Sequence, residues 1–250
     1  MDDILKKVGF SRLSNIPSNS KKLFIDVGLS IDAPNSANWL INHDDAFVVG
    51  VEPSPENISI LKKGRPADVS FSYLRLEDQS IILKNEIVGN INDRFCLLEA
   101  AIDNVDSPTT ANFYLTDERN TGCSSLLRPT EKLGLDVKEV YQTPVVSLKE
   151  ILDNLVPSRF SHVTFLKTDA QGKDLDVIKS CKEHLQNVLI VQMEVNTNGQ
   201  YENEQNLEEI EQFMFSNHFT TLGGNFYDRI YINKELASRV EVPEIKFIQT

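Results

Sequence analysis

Residues 163–180 read V-T-F-L-K-T-D-A-Q-G-K-D-L-D-V-I-K-S. Lys167 and Asp169 place an ammonium and a carboxylate two positions apart at the end of an apolar run. A carboxylate there can pair with the lysine, orient a bound hydroxyl or take its proton. A second carboxylate, Glu52, closes the run A-F-V-V-G-V. It follows Gly28 of K-L-F-I-D-V-G by about 25 positions, near the roughly 20 expected for an acidic residue that grips a ribose. A carboxylate accepts hydrogen bonds from both ribose hydroxyls, and a glycine lets the chain turn sharply and a ligand approach the backbone. A third carboxylate, Glu194, ends V-L-I-V-Q-M-E and is a candidate for binding substrate hydroxyls or for capping the next segment.

These residues need strand ends to hold them. Lys22–Val27, Ala46–Val51, residues 95–102, the run through Thr168 and residues 188–195 are apolar enough for buried strands. Pro34 opens a helix to Ile41 that turns Trp39 and Leu40 to the sheet. Ser54 and Pro55 start a second helix, which Gly64 stops. Ser147 and Glu150 form a capping box for a third. After the A-Q-G link, Leu175, Ile178 and Leu185 are spaced for a helix to about Leu185. A further helix spans 206–217, and two antiparallel strands close the chain. The order predicts an α/β fold: a doubly wound, mostly parallel sheet with a late antiparallel strand, the Rossmann-like class I methyltransferase architecture. Residues 1–20 read as an N-terminal extension and 21–250 as one domain, with an irregular insert around 104–146. Residues 65–95 mix strand and helix signals, and the tail after Asn233 is unassigned.

The 250 residues carry a formal net charge of −12. That argues against nucleic acid and anionic membrane surfaces as partners, since both need a basic face. No run of apolar residues is long enough to cross a bilayer, and the acidic N-terminus does not read as a secretory signal. Cys96, Cys123 and Cys181 lie far apart, as reduced cytoplasmic thiols would. His43, His162, His184 and His218 show no ligand spacing, so no protein-built metal site is expected. The turn G-L-S-I-D-A puts Ser30 and Ala33 where a dinucleotide fingerprint has glycines, which speaks against an NAD(P)-dependent oxidoreductase.

The blocks F-I-D-V-G (24–28), V-V-G-V-E-P-S-P-E-N (48–57), L-L-E-A-A-I-D (97–103), G-C-S-S-L (122–126), V-S-L-K-E-I-L (146–152), F-L-K-T-D-A-Q-G-K-D-L-D-V-I-K (165–179) and V-Q-M-E-V (191–195) occur in the order seen in FkbM-type methyltransferases. Across roughly residues 22–222 the chain resembles that family. The resemblance implies O-methyl transfer from S-adenosylmethionine to a hydroxyl of a sugar, polyketide or related small metabolite. It places Asp26, Gly28 and Glu52 at the cofactor, with Ala101, Ile102 and Asp103 as candidate adenine contacts. Asp169 and Lys167 become the candidate catalytic pair, and Glu194, Ser124 and Ser125 candidate acceptor contacts. One departure stands out. The family continues D-V-G with Ala-Asn-x-Gly, whereas this chain has Leu29, Ser30, Ile31 and Asp32. Two readings follow: a rebuilt loop that still binds the cofactor, or a non-catalytic binding domain that has lost the reaction.

Overall fold

The structure is a computed structural model that describes residues 2–65, 69–117, 121–195 and 198–243. The first part of the chain forms α1 (Asp2–Lys7), β1 (Lys22–Val27), α2 (Pro34–Asn42), β2 (Ala46–Val51) and α3 (Pro55–Lys63). Next come β3 (Tyr73–Arg75), β4 (Ser80–Leu83), β5 (Glu86–Asn90), β6 (Phe95–Leu98), β7 (Ala101–Ile102), β8 (Thr109–Thr116) and β9 (Val137–Val146). The remainder forms α4 (Leu148–Leu155), β10 (Val163–Thr168), α5 (Asp174–Lys179), β11 (Val188–Glu194), α6 (Leu207–Ser216), β12 (Phe219–Gly224), β13 (Asp228–Asn233) and α7 (Lys234–Ala237).

The main sheet has the order β12-β13-β11-β10-β1-β2-β6. From β6 to β11 every pair is parallel, and β13 runs antiparallel to both β11 and β12. The fold is therefore the doubly wound sheet with a late antiparallel strand. Successive residues of β1 alternate between two cores. Leu23, Ile25 and Val27 join the layer of α4, α5 and α6, while Phe24 joins that of α2 and α3. Trp39 stacks on Phe24 with ring centroids 5.1 Å apart, and Trp39 and Leu40 are buried as their spacing predicts.

The expected caps form. Asn57 N–H donates to Ser54 Oγ at the start of α3, and Ser147 and Glu150 make both halves of the capping box. Four regions differ from the sequence reading, the first being 95–102, which is not one strand but β6 in the main sheet and β7 in another. The helix after β10 ends at Lys179, and a 3-10 turn, Lys182–Asn187, carries the chain on to β11. Residues 73–90 form a separate three-stranded meander, β3-β4-β5. Much of the insert is a ribbon in which β8 and β9 pair antiparallel, with β7 beside β9; residues 118–120 of the insert lie outside the described residues. Residues 2–20 are seated on the domain, with Val8 and Leu13 buried in its core.

The strand order turns back between β1 and β10. In a doubly wound sheet such a switch point opens a crevice at the carboxyl ends of the strands. Register fixes what lies there. Gly50, Asp26, Lys167 and Gln192 sit side by side on β2, β1, β10 and β11, and the next row is Val51, Val27, Thr168 and Met193. One residue further along each chain are Glu52, Gly28, Asp169 and Glu194. The ladder extends to them: Gly28 N–H donates to Val51 O and Asp169 N–H to Val27 O, each at 3.0 Å.

Candidate functional site

Gly28 is the hinge of this row. Its φ is +81°, and a Cβ there would lie 2.1 Å from the carbonyl oxygen of Asp169. The loop that follows is tightly wound, with Ser30 and Ala33 at positive φ and Leu29 buried. Asp32, in the place of the family's second glycine, is fastened from outside: Arg65 Nη1 donates to its Oδ2 at 2.5 Å. Burial raises the Asp32 pKa, and the Arg65 guanidinium works against that rise.

Glu52 is 3% exposed. Ser30 N–H donates to its Oε2 at 2.9 Å. Ser54 N–H and Asn57 Nδ2 donate to its Oε1 at 2.9 and 3.2 Å. A carboxylate has about four acceptor directions, so one remains. Burial pushes the Glu52 pKa up to about 7, against the pull of these donors. Glu52 lies in a slot that Val27, Gly28, Val51, Ala101, Ile102, Phe113 and Ser124 also line. Asp103 does not reach the slot. Its Oδ1 is held 2.9 Å from Lys173 Nζ, and Lys173 is the residue that lines the wall.

A second, wider cleft shares Gly28, Ser30, Gly122 and Asp169 with the slot. Its polar floor contains Asp26, Lys167, Gln171 and Glu194, and its apolar side includes Phe71, Leu133, Leu135 and Tyr227. Lys167 Nζ donates to Gly28 O at 2.9 Å and to Asp169 Oδ2 at 3.3 Å, and lies 3.7 Å from Asp26 Oδ1. Burial opposes its charge, but the carboxylates of Asp169 and Asp26 outweigh burial and hold its pKa above the ordinary lysine value. Lys167 is therefore a fixed cation rather than a base. Asp26 is anchored from below, where Ser36 N–H and Oγ donate to its Oδ2 at 3.1 and 2.6 Å.

The candidates fall into three groups. Glu52, Ala101, Ile102 and Ser124 meet in the slot, and Asp26, Lys167 and Glu194 in the wider cleft. Gly28 and Asp169 stand in the shared wall. Ser125 belongs to neither: it is buried, and its Oγ donates to Gln171 O at 2.8 Å and accepts from Leu127 N–H at 3.0 Å. Away from both clefts, ligand atoms of Asp153, Glu183 and His184 lie within 4.8 Å of one another. Lys149 Nζ bridges the two carboxylates at 3.0 and 2.6 Å, as in an exposed ion-pair network. Gln171, inside the block 165–179, has no local sequence feature that marks it as a site residue. Its signal lies in the backbone, a left-handed φ of 53° just before Gly172.

The sequence profile described as Methyltransferase FkbM domain matches residues 26–221. The chain belongs to the FkbM methyltransferase family. A crystal structure of methyltransferase FkbM from Methylobacillus flagellatus KT is similar, with a TM-score of 0.47 and 14% identity, over 86% of this chain and 44% of that one. The FkbM domain described here thus spans less than half the length of that neighbour. No curated protein sequence matches it. The match to the profile begins at Asp26 and takes in the whole row of Gly28, Glu52, Asp169 and Glu194. Among the described residues of this FkbM domain, no helix is long and apolar enough to cross a membrane.

Proposed function

We propose that this FkbM domain transfers a methyl group from S-adenosylmethionine to a hydroxyl of a sugar or other small metabolite, in the cytoplasm. The observation that carries this reading is the wall of Gly28, Ser30 and Asp169, which two neighbouring pockets share, a narrower slot and a wider polar cleft. The slot fits the cofactor's nucleoside. Glu52 keeps one acceptor direction for a ribose hydroxyl, and Val51, Ile102 and Phe113 offer apolar faces to a purine. Asn57 Oδ1, beside Glu52, is buried without a partner among the described residues. Bound there, S-adenosylmethionine supplies a sulfonium methyl group. Asp169 receives the acceptor hydroxyl and takes its proton, while the Lys167 ammonium holds Asp169 in place. The formal charge of −12 supports a small acceptor rather than nucleic acid or an anionic membrane.

Calorimetric titration with S-adenosylhomocysteine tests the slot, and incubation with labelled S-adenosylmethionine and a panel of monosaccharides and hydroxylated metabolites tests the cleft. Micromolar binding by the wild type is expected, weakened about a hundredfold in Glu52→Ala. Equal affinity in the two proteins would remove Glu52 from the site, and no binding by the wild type would favour a domain that has lost the cofactor.

The same titration carries a pH signature. Ribose hydroxyls donate to the ionised carboxylate, so the form without the proton is the one that binds. Glu52 titrates at about 7. It is mostly ionised at pH 8 and mostly protonated at pH 6. Affinity is expected to fall about tenfold between those values, with proton release on binding at pH 6. A flat profile would show that Glu52 does not receive the ligand.

A further inference from the structure

Gln171 stands at the start of the α5 turn and touches four separate parts of the molecule. Its Nε2 donates to Asp169 Oδ1 at 2.7 Å and to Glu194 Oε2 at 2.8 Å. Its Oε1 accepts from Tyr201 Oη at 2.7 Å, and its backbone carbonyl accepts from Ser125 Oγ. One amide nitrogen thus spends both of its hydrogens on two carboxylates from neighbouring strand ends. Each bond has a charged acceptor and is stronger than a neutral pair. The two carboxylates favour this orientation of the amide; the Tyr201 hydroxyl, which lies 2.8 Å from Cys123 O as well, shares its one hydrogen between that carbonyl and Gln171 Oε1. Turned over, its oxygen would face two carboxylates and its nitrogen the tyrosine hydroxyl.

The backbone argues the same way. At a φ of 53°, asparagine or glycine is the favoured occupant, and glutamine carries a steric penalty. A turn built for its own sake would not use glutamine. Glutamine differs from asparagine by one methylene, and that added reach carries the amide to Glu194 and Tyr201.

We propose that Gln171 is a positioning residue that yokes the carboxylates of Asp169 and Glu194 into one unit facing the acceptor cleft, with Tyr201 supporting the orientation of its amide. Its consequence for turnover rests on the methyl-transfer reading. The two carboxylates are unequal. Asp169 has the Lys167 ammonium 3.3 Å away. Glu194 has Gln171 as its hydrogen-bond partner, and burial raises its pKa, with the charges of Asp169, Asp174 and Asp228 adding to that rise and Lys167 opposing it. Tyr201 and Cys123 complete its surroundings, and burial raises both of their pKa values as well. The unit therefore presents an acceptor with two carboxyl groups in unlike surroundings, one beside the Lys167 ammonium and one held by the amide alone.

The test is a carbon-13 NMR titration of the glutamate carboxyl groups, with the Glu194 signal assigned by its loss in Glu194→Gln. It compares the wild type with Gln171→Asn and Tyr201→Phe. Asparagine suits the left-handed backbone but falls short of the carboxylates. Gln171→Asn is expected to bind S-adenosylhomocysteine as well as the wild type does. Its Glu194 midpoint should move up by about one pH unit, because a bond to the charged form is gone. Tyr201→Phe should move it the same way by less, and answers the question even if the asparagine variant does not fold. A Glu194 midpoint unmoved in the variants overturns the yoke, as does a lower melting temperature in Gln171→Asn with that midpoint unchanged. Absence of S-adenosylhomocysteine binding by the wild type would end the methyl-transfer reading, while the Glu194 titration would still judge the yoke.

Discussion

Gly28→Ala is expected to destabilise the domain by about 3 kcal/mol or more and to abolish binding of S-adenosylhomocysteine. Two penalties coincide. At a φ of +81° an alanine side chain is strained, and its Cβ would stand 2.1 Å from Asp169 O, which is backbone and has nowhere to rotate. Relief requires β1 and the chain after β10 to part. That would break the bond from Asp169 N–H to Val27 O and draw Lys167 Nζ away from Gly28 O. Both clefts share this wall, so neither survives the separation. Denaturant unfolding measures the first effect and calorimetry the second. A variant within 1 kcal/mol of the wild type that still binds would mean that the close approach of Gly28 to Asp169 is not what holds the site.

Asp169→Asn is expected to separate binding from chemistry. Asparagine has the same shape, so the turn and the shared wall remain. What disappears is the ability to take a proton and the charge facing Lys167. Turnover with an acceptor identified from the panel should fall about 10²- to 10⁴-fold, the range for removing a general base. Affinity for S-adenosylhomocysteine should stay within about threefold, because the slot depends on Glu52 and its apolar walls. Full turnover in this variant would eliminate Asp169 as the base and leave Glu194 as the carboxylate to examine.

Most of the row was legible because each member ends an apolar run. Asp26, Gly28, Glu52, Lys167, Asp169 and Glu194 all lie at or beside the carboxyl end of a strand, and period and length reveal such ends in a sequence. The caps at Ser54 and Ser147 were legible for a similar reason, since their partners lie within three residues. What was missed depends on distant partners. Gln171 meets Glu194 and Tyr201, which are 23 and 30 positions away, and nothing local marks that meeting. Ser125 looked available in a polar stretch, yet its hydroxyl is committed to the backbone of Gln171 and Leu127. The outer half of β9, V-K-E-V-Y-Q, lacks an apolar alternation because it is largely exposed and is held by backbone pairing to β8. Asp32 looked like a damaged glycine loop from sequence alone; its partner Arg65 is 33 positions away.

The slot has walls of unequal permanence. On one side stand the ends of β1, β2 and β10, in the middle of the sheet, with Val27, Val51 and Leu166 buried. On the other stands the ribbon of β8 and β9, where Val137 and Val140 are 37% and 47% exposed. Amide hydrogens of the first wall exchange with solvent when the whole domain opens, whereas an exposed two-stranded ribbon opens by a smaller excursion of its own. Phe113 belongs to the ribbon, whereas Glu52 and Gly28 stand at the ends of the sheet strands. Amide exchange is thus expected to be faster on the ribbon side than along the row of Glu52, Gly28, Asp169 and Glu194.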